Sequence, residues 1–410
     1  MKKKFVGIVL AAVMATSCTA AFIGCSPRNE VLKIYNWGDY IDESLLDEFE
    51  SWYKKTTGET VSVQYDTFNT NEDMLMRIEV LESDYDLVCP SDYMAERMIN
   101  SKLVQKINKD IIDITADGFL VDGLAQMIQP FDRKNEYFVP YVWGTFGIMY
   151  DTNYIKAGSE DMKSWSALWD KKYNKHILMK DSVRDAYSVA QIYNNSEKLS
   201  ELSGGFTDYN EEYREELISY FSTVSDKLIK SARDSLVKQK KLLYKYEVDD
   251  GKNDMLAGTT EAHLGLFWSC DTGLIMQEDG GEHFYYEVPK EGSNVWVDGW
   301  LIPKYAKNTK AANYFLKFIS LYNDEYDYAM TNFDYMGSSM AVKAVMDDAK
   351  AALIEDEDGF FEDKEPWFKD MYIDMMFPSE QVLARCGVMR DFGKKWSTEL
   401  DSMWIDVKTL

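Results

Sequence analysis

Trp37 and Asp39 stand two residues apart, and so do Trp296 and Asp298. In an extended strand, residues i and i+2 share a face, so each pair sets an indole beside a carboxylate. An alkylammonium group needs both. Its charge loses water on burial and requires a carboxylate in return. Its methylenes pack on aromatic faces, which attract the adjacent charge by about 0.5–2 kcal/mol. Trp and Tyr walls with acids at both ends would therefore hold an amine of more than one charge. A core Trp beside a solvated Asp is the plain alternative for either pair alone, and a loop at the first pair would relax the strand geometry.

Other chemistries fit less well. Asp39 and Asp298 could flank a glycosidic bond, but an amine site explains the same acids together with their aromatic neighbours. A carboxylate-bearing or amino-acid-like ligand would want an arginine, and Arg184 is the only one near these motifs. The chain has no P-loop, no G-x-G-x-x-G and no H-E-x-x-H. His176, His263 and His283 are far apart in sequence and no G-x-S-x-G accompanies them, so structural or surface roles are expected. Cys89, Cys270 and Cys386 are widely spaced with no C-x-x-C, which points to buried free thiols rather than a disulfide framework or a zinc site. No catalytic residue, cofactor or metal is expected.

The elements that must carry these residues alternate. Val31 to Tyr35 reads as a strand, Asp42 to Tyr53 as a helix, and Val61 to Tyr65 as a strand. Thr70 with Asp73 forms a capping-box-like start for a helix through Leu81, and Tyr85 to Cys89 is a strand stopped by Pro90. This β-α-β-α-β order predicts a largely parallel sheet, in which ligands sit beyond the carboxyl ends of the strands. Trp37-Gly38-Asp39-Tyr40 and Ser91-Asp92-Tyr93 both lie there. Pro140 to Gly144 reads as a crossing between lobes, leading into a strand at Phe146 to Tyr150. A charged helical stretch runs from about 210 to 246, and Asp249-Asp250-Gly251 breaks it. Strands are expected again at His263 to Trp268, Phe284 to Val288 and Trp296 to Pro303, with a helix at about Lys310 to Leu321 and helices to the end.

At 410 residues two lobes are the default. Lys2, Lys3 and Lys4 followed by the apolar stretch Phe5 to Ala15 form a leader too short to span a membrane in the mature protein. Ile23-Gly24-Cys25-Ser26 then resembles a lipoprotein processing site, with Cys25 as the lipidated residue. Phe22 is untypical three places before the cysteine, and Cys18 is a rival acceptor. The mature body would be soluble and tethered, in the periplasm or on the outer face of the cytoplasmic membrane. The 45 basic and 70 acidic residues give a formal charge of −25, which argues against nucleic acid and is compatible with a cationic ligand.

Asn36-Trp37-Gly38-Asp39-Tyr40-Ile41 resembles the opening of the bacterial spermidine/putrescine-binding proteins of ABC transporters, and Tyr85-Asp86-Leu87-Val88-Cys89-Pro90-Ser91-Asp92-Tyr93 is similar to their second motif. Ser164 to Trp169, Met179 to Asp185, Phe267-Trp268-Ser269, Trp296-Val297-Asp298 and Ile302 to Asn308 continue the order, so the resemblance covers about residues 31–345. It implies an α/β two-lobed periplasmic-binding-protein (Venus flytrap) fold, each lobe a mostly parallel sheet flanked by helices. The implied division is a leader at 1–24, one lobe from 25–141 plus 299–343, and the other from 142–298 plus 344–410. The helical stretch near 210–246 is longer than the family's and reads as a surface elaboration.

For the site, the resemblance implies that Trp37, Asp39 and Tyr40 form the first-loop wall with an amine acceptor. Ser91 and Tyr93 are then second-loop contacts, Asp185 a carboxylate for an ammonium, Trp268 and Trp296 aromatic walls, Asp298 the central carboxylate, and Tyr335 a further tyrosine of the cleft. Ser182 stands where a spermidine-preferring member has an acid. Asp181 adjoins it, and the departure tilts the expectation toward putrescine or a related diamine. The implied partners are a polyamine and the membrane permease of an importer, with the protein a monomer.

Overall fold

The computed structural model describes residues 28–248 and 250–410. Cys18, Cys25 and the rest of the leader lie outside the described residues, as does Asp249.

The opening alternation is realised. β1 (Val31–Trp37), β2 (Ser62–Phe68) and β3 (Leu87–Val88) form a parallel sheet in the order β2-β1-β3. The helix Ser44–Thr57 between the first two strands buries Leu45, Phe49, Trp52 and Tyr53, a stripe with helical spacing. The next helix, Asn71–Glu79, starts where its cap predicts: the Thr70 hydroxyl accepts the Asp73 amide at 3.1 Å. It ends short of Leu81. The helix Asp92–Asn100 follows β3, and β4 (Val104–Gln105) pairs with the distant segment Ile302–Pro303.

β5 (Val139–Asp151) is buried along its whole length and takes in both the Pro140–Gly144 crossing and the strand expected after it. Its first part, with Tyr141 and Val142, packs into the core around Ile34, Phe49 and Phe315. Its second part, with Phe146 and Tyr150, packs into a core around Leu178's neighbour Ile177, Tyr187 and Leu236. One strand thus joins the two lobes.

β6 (Ile177–Lys180), β7 (Leu243–Glu247), β8 (Leu264–Trp268), β9 (Phe284–Glu287), β10 (Ser293–Trp300), β11 (Ile302–Pro303) and β12 (Cys386–Gly387) complete the set. The second sheet runs β12-β10-β5-β8-β6-β7, with β9 on β5. Its parallel pairings are β7-β6-β8 and β10-β12, and the joining strand β5 is antiparallel to β8, β9 and β10.

One expectation is corrected. The stretch 210–246 is not helical to its end, nor a surface elaboration. Helices Glu211–Ser222 and Asp226–Lys240 bury Tyr213, Leu217, Phe221, Ala232 and Leu236 in the second lobe's core, and Leu243–Glu247 is the edge strand β7. Charged residues on the outer faces hid the apolar stripe and the short strand behind it. Asp250 and Gly251, read as part of the break after this stretch, open a further helix, Asp250–Leu256. Among the described residues no helix is long and apolar enough to cross a membrane.

Candidate functional site

The carboxyl end of β1 delivers Trp37, whose ring lies 4.4 Å from Phe68 and whose Nε1 is buried without a partner. The chain then turns through Gly38, and Asp39 adopts φ +52° with its side chain exposed. Its negative charge helps raise the pKa of the exposed Tyr335, after burial. Tyr40 comes back inward and donates its hydroxyl proton to Asp298 Oδ2 at 2.9 Å.

Asp298 sits on β10, buried to 8 % exposure. It bridges to Ser91, which immediately precedes the helix after β3. Burial pushes its carboxyl up to about 6, against the hydrogen bonds from Ser91 and Tyr40 that pull it down. Asp92, next to Ser91 and also buried, accepts the Val297 amide at 3.3 Å. Burial first, then the charge of Asp298, pushes Asp92 up to about 8. Two carboxyls close together in a dry site cannot both ionise easily, so Asp92 keeps its proton at neutral pH. Tyr93 receives a hydrogen bond from Asn71 Nδ2 at 3.1 Å, and its ring carries the Arg184 guanidinium at 3.7 Å.

The second lobe supplies the facing wall. Ser182 caps the helix Val183–Asn194, and Asp185 occupies the first turn, buried with its Oδ2 unpartnered. Burial pushes Asp185 up to about 6, although Ser182, Lys180, Arg184 and Trp268 pull it down. Trp268 ends β8. Trp296 lies against the backbone of β5 and donates Nε1–H to the Thr145 carbonyl at 3.3 Å. Only glycine fits opposite: a Cβ on Gly144 would stand 2.7 Å from the Trp296 ring.

Residues 44–354 match the family model of the bacterial extracellular solute-binding proteins. The chain belongs to that family. Among the relatives of this solute-binding protein, the spermidine/putrescine-binding periplasmic protein of Salmonella typhimurium is 29% identical over 320 residues, covering 78% of this chain and 80% of that one. The putrescine-binding periplasmic protein PotF of Escherichia coli is 26% identical over 327 residues, covering 78% and 80%. Among solved structures, a putative spermidine/putrescine ABC transporter protein from Listeria monocytogenes superposes with a TM-score of 0.66 at 26% identity, covering 92% of this chain and 99% of that one. A lipoprotein of Treponema pallidum shares the fold at a TM-score of 0.64 and 23% identity, covering 92% and 99%. The two-lobed α/β architecture is that of these proteins.

In this solute-binding protein Tyr40, Ser91 and Asp298 are in contact, while Trp268 and Ser182 act on Asp185. Asp39 and Tyr335 stand together at an exposed rim. Asp181 does not join them: it accepts hydrogen bonds from Trp404 Nε1 at 2.8 Å and Lys408 Nζ at 2.8 Å, on the C-terminal helix. It lies ahead of the helix cap, where the chain faces outward. Arg184 is sandwiched between the rings of Tyr93 and Phe392, with its guanidinium 4.4 Å from the latter. His176 and His263, far apart in sequence, stack at 4.0 Å under Tyr154. Sequence reasoning passed over Asp92, although it lies inside the Ser91-Asp92-Tyr93 motif. It also passed over the ion pair of Arg390 with Glu96, at 2.5 Å, which joins the segment after β12 to the helix after β3.

Proposed function

We propose that this protein is the extracytoplasmic substrate-binding component of an ABC importer and captures a polyamine, putrescine or spermidine, between its lobes. One observation carries the reading. Asp185, in the helix after β6, and Asp298, on β10 against Tyr40 and Ser91 of the other lobe, are both buried, and among the described residues no lysine, arginine or histidine forms an ion pair with either. Buried carboxylates of that kind demand a cation from outside. Trp37, Tyr40, Tyr93, Trp268, Trp296 and Tyr335 supply the aromatic faces, with Asp39, Ser91 and Ser182 as polar contacts. The relatives from Salmonella typhimurium and Escherichia coli are named as binding proteins for these amines.

In this reading the lobes comprise 25–141 plus 299–343 and 142–298 plus 344–410, and the solute stabilises closure by touching both. The closed monomer docks on a membrane permease. Lipid on Cys25 tethers it to the outer face of the membrane. No catalytic step is assigned.

Putrescine has about six heavy atoms, and a ceiling of roughly −1.5 kcal/mol per atom bounds its affinity near −9 kcal/mol, about sub-micromolar. Titration calorimetry with putrescine, cadaverine, spermidine and spermine tests the reading. Micromolar or tighter binding of at least one is expected; absence of heat with all four overturns it.

A further inference from the structure

We propose that Lys180 is the specificity-determining residue of this site: its buried ammonium occupies the cation position at the second-lobe end of the slot and restricts the ligand to diamines. The inference rests on the amine-binding reading above and adds which amines fit.

The placement follows from the sheet. Lys180, Glu247 and Trp268 are the last residues of β6, β7 and β8, three mutually parallel neighbours, so all three sit at one carboxyl edge. That edge is where a parallel sheet presents its ligand site. Ser182 and Asp185 follow β6 directly, and Asp271 lies in the first turn of the helix that follows β8. The Lys180 side chain is 1 % exposed.

The contacts are those an alkylammonium ligand would make. Lys180 Nζ stands 4.3 Å from the centre of the Trp268 ring, 2.8 Å from Asp271 Oδ2 and 3.0 Å from Glu247 Oε1. Lys252 Nζ takes the other oxygen of Asp271 at 2.7 Å. An indole face and two carboxylates around a desolvated ammonium are the surroundings that a buried alkylammonium ligand requires. Here the chain supplies the ammonium itself. Burial works against the charge on Lys180, but Asp271 and Glu247 outweigh it and raise its pKa above the ordinary lysine value.

Charge counting then sets the ligand. Lys180 and Lys252 neutralise Asp271 and Glu247 within the protein. Asp92 holds its proton beside Asp298. Asp185 and Asp298 are left as the buried carboxylates of the cleft that no ion pair serves, two for two ammonium groups, with Asp39 exposed at the rim. A triamine brings a third, and the place that would receive it is filled by Lys180, whose like charge repels it.

Calorimetry on the full chain, wild type and Lys180→Met, with putrescine and spermidine decides the matter. Wild type should bind putrescine at least tenfold tighter than spermidine. Lys180→Met, which keeps the length of the side chain and removes the charge, should move the putrescine-to-spermidine ratio at least tenfold toward spermidine. A folded variant with an unchanged ratio overturns the proposal. So does a wild-type protein that prefers spermidine, a result that stands even if the variant does not fold. Binding in the wrong order refutes the role of Lys180 alone, whereas no binding of either amine by wild type removes the amine site and this inference with it.

Discussion

Tyr40 and Asp298 are 258 residues apart in the chain and share a hydrogen bond of 2.9 Å, the phenol donating to the carboxylate. The bond ties the loop after β1 to β10, the antiparallel neighbour of the strand that joins the lobes. With the hydrogen bond from Ser91 it also orients the carboxylate that, on the proposed reading, an incoming ammonium would meet.

Removing that carboxylate should be costly. Asp298→Asn is expected to reduce putrescine affinity by about 2–5 kcal/mol, because it strands a buried ammonium. Tyr40→Phe should cost less, about 1 kcal/mol, since the carboxylate stays. Calorimetry on both variants checks the order, and an Asp298→Asn protein with wild-type affinity would count heavily against the assignment.

The reverse holds for Asp181. Its partners are Trp404 and Lys408 at the partly exposed end of the C-terminal helix. Asp181→Asn should leave amine affinity within twofold of wild type and lower stability by no more than about 1 kcal/mol. A loss of binding comparable to that of Asp298→Asn would put Asp181 back in the site.

Acid should release the solute. Asp185 and Asp298 both have carboxyls raised by burial to about 6, above the ordinary value near 3.8. The folded protein without solute therefore holds protons more tightly than the unfolded chain, and these two groups cost it stability as pH rises from about 4 through 6. A diammonium ligand favours the ionised forms, so its affinity is greatest above pH 6 and falls below it. With two groups titrating near 6, affinity should drop about a hundredfold from pH 7.5 to pH 5. Putrescine titrations across that range, with proton release measured in two buffers, test the prediction; a flat profile would exclude both carboxyls as ammonium partners.

Arg390 grips Glu96 through Nε at 2.9 Å and through its terminal nitrogen at 2.5 Å. Arg390→Gln should weaken putrescine binding by about 1–3 kcal/mol without touching the solute. Small-angle scattering should show a larger radius of gyration for the variant. Unchanged affinity and dimensions would mean that the pair does not hold the lobes together.

Much of this was legible in the residues. The Trp296–Asp298 spacing survives because β10 is a strand there, with the bulge only after Asp298. The first pair is not kept on one face: the turn at Gly38 and the positive φ of Asp39 swing its carboxylate outward while Trp37 stays in. Ser182-Val183-Arg184-Asp185 carries a capping pattern that could have separated Asp185, inside the helix, from Asp181, ahead of it. Lys180 was invisible for a different reason. Lysine is almost never fully buried, and its partners Glu247 and Asp271 come from distant stretches that only the sheet order brings to one edge. β7 was lost inside a run of charges for the same reason: its pairing with β6 is long-range.

The Glu96–Arg390 pair joins the helix after β3 to the segment after β12 and includes none of the residues assigned to the amine. On the proposed reading, what it contributes to closure would be the same for every amine, a gain control with no power to discriminate. Evolution could turn the receptor's sensitivity up or down at that one pair to match the scarcity of its solute, and leave the choice of solute untouched.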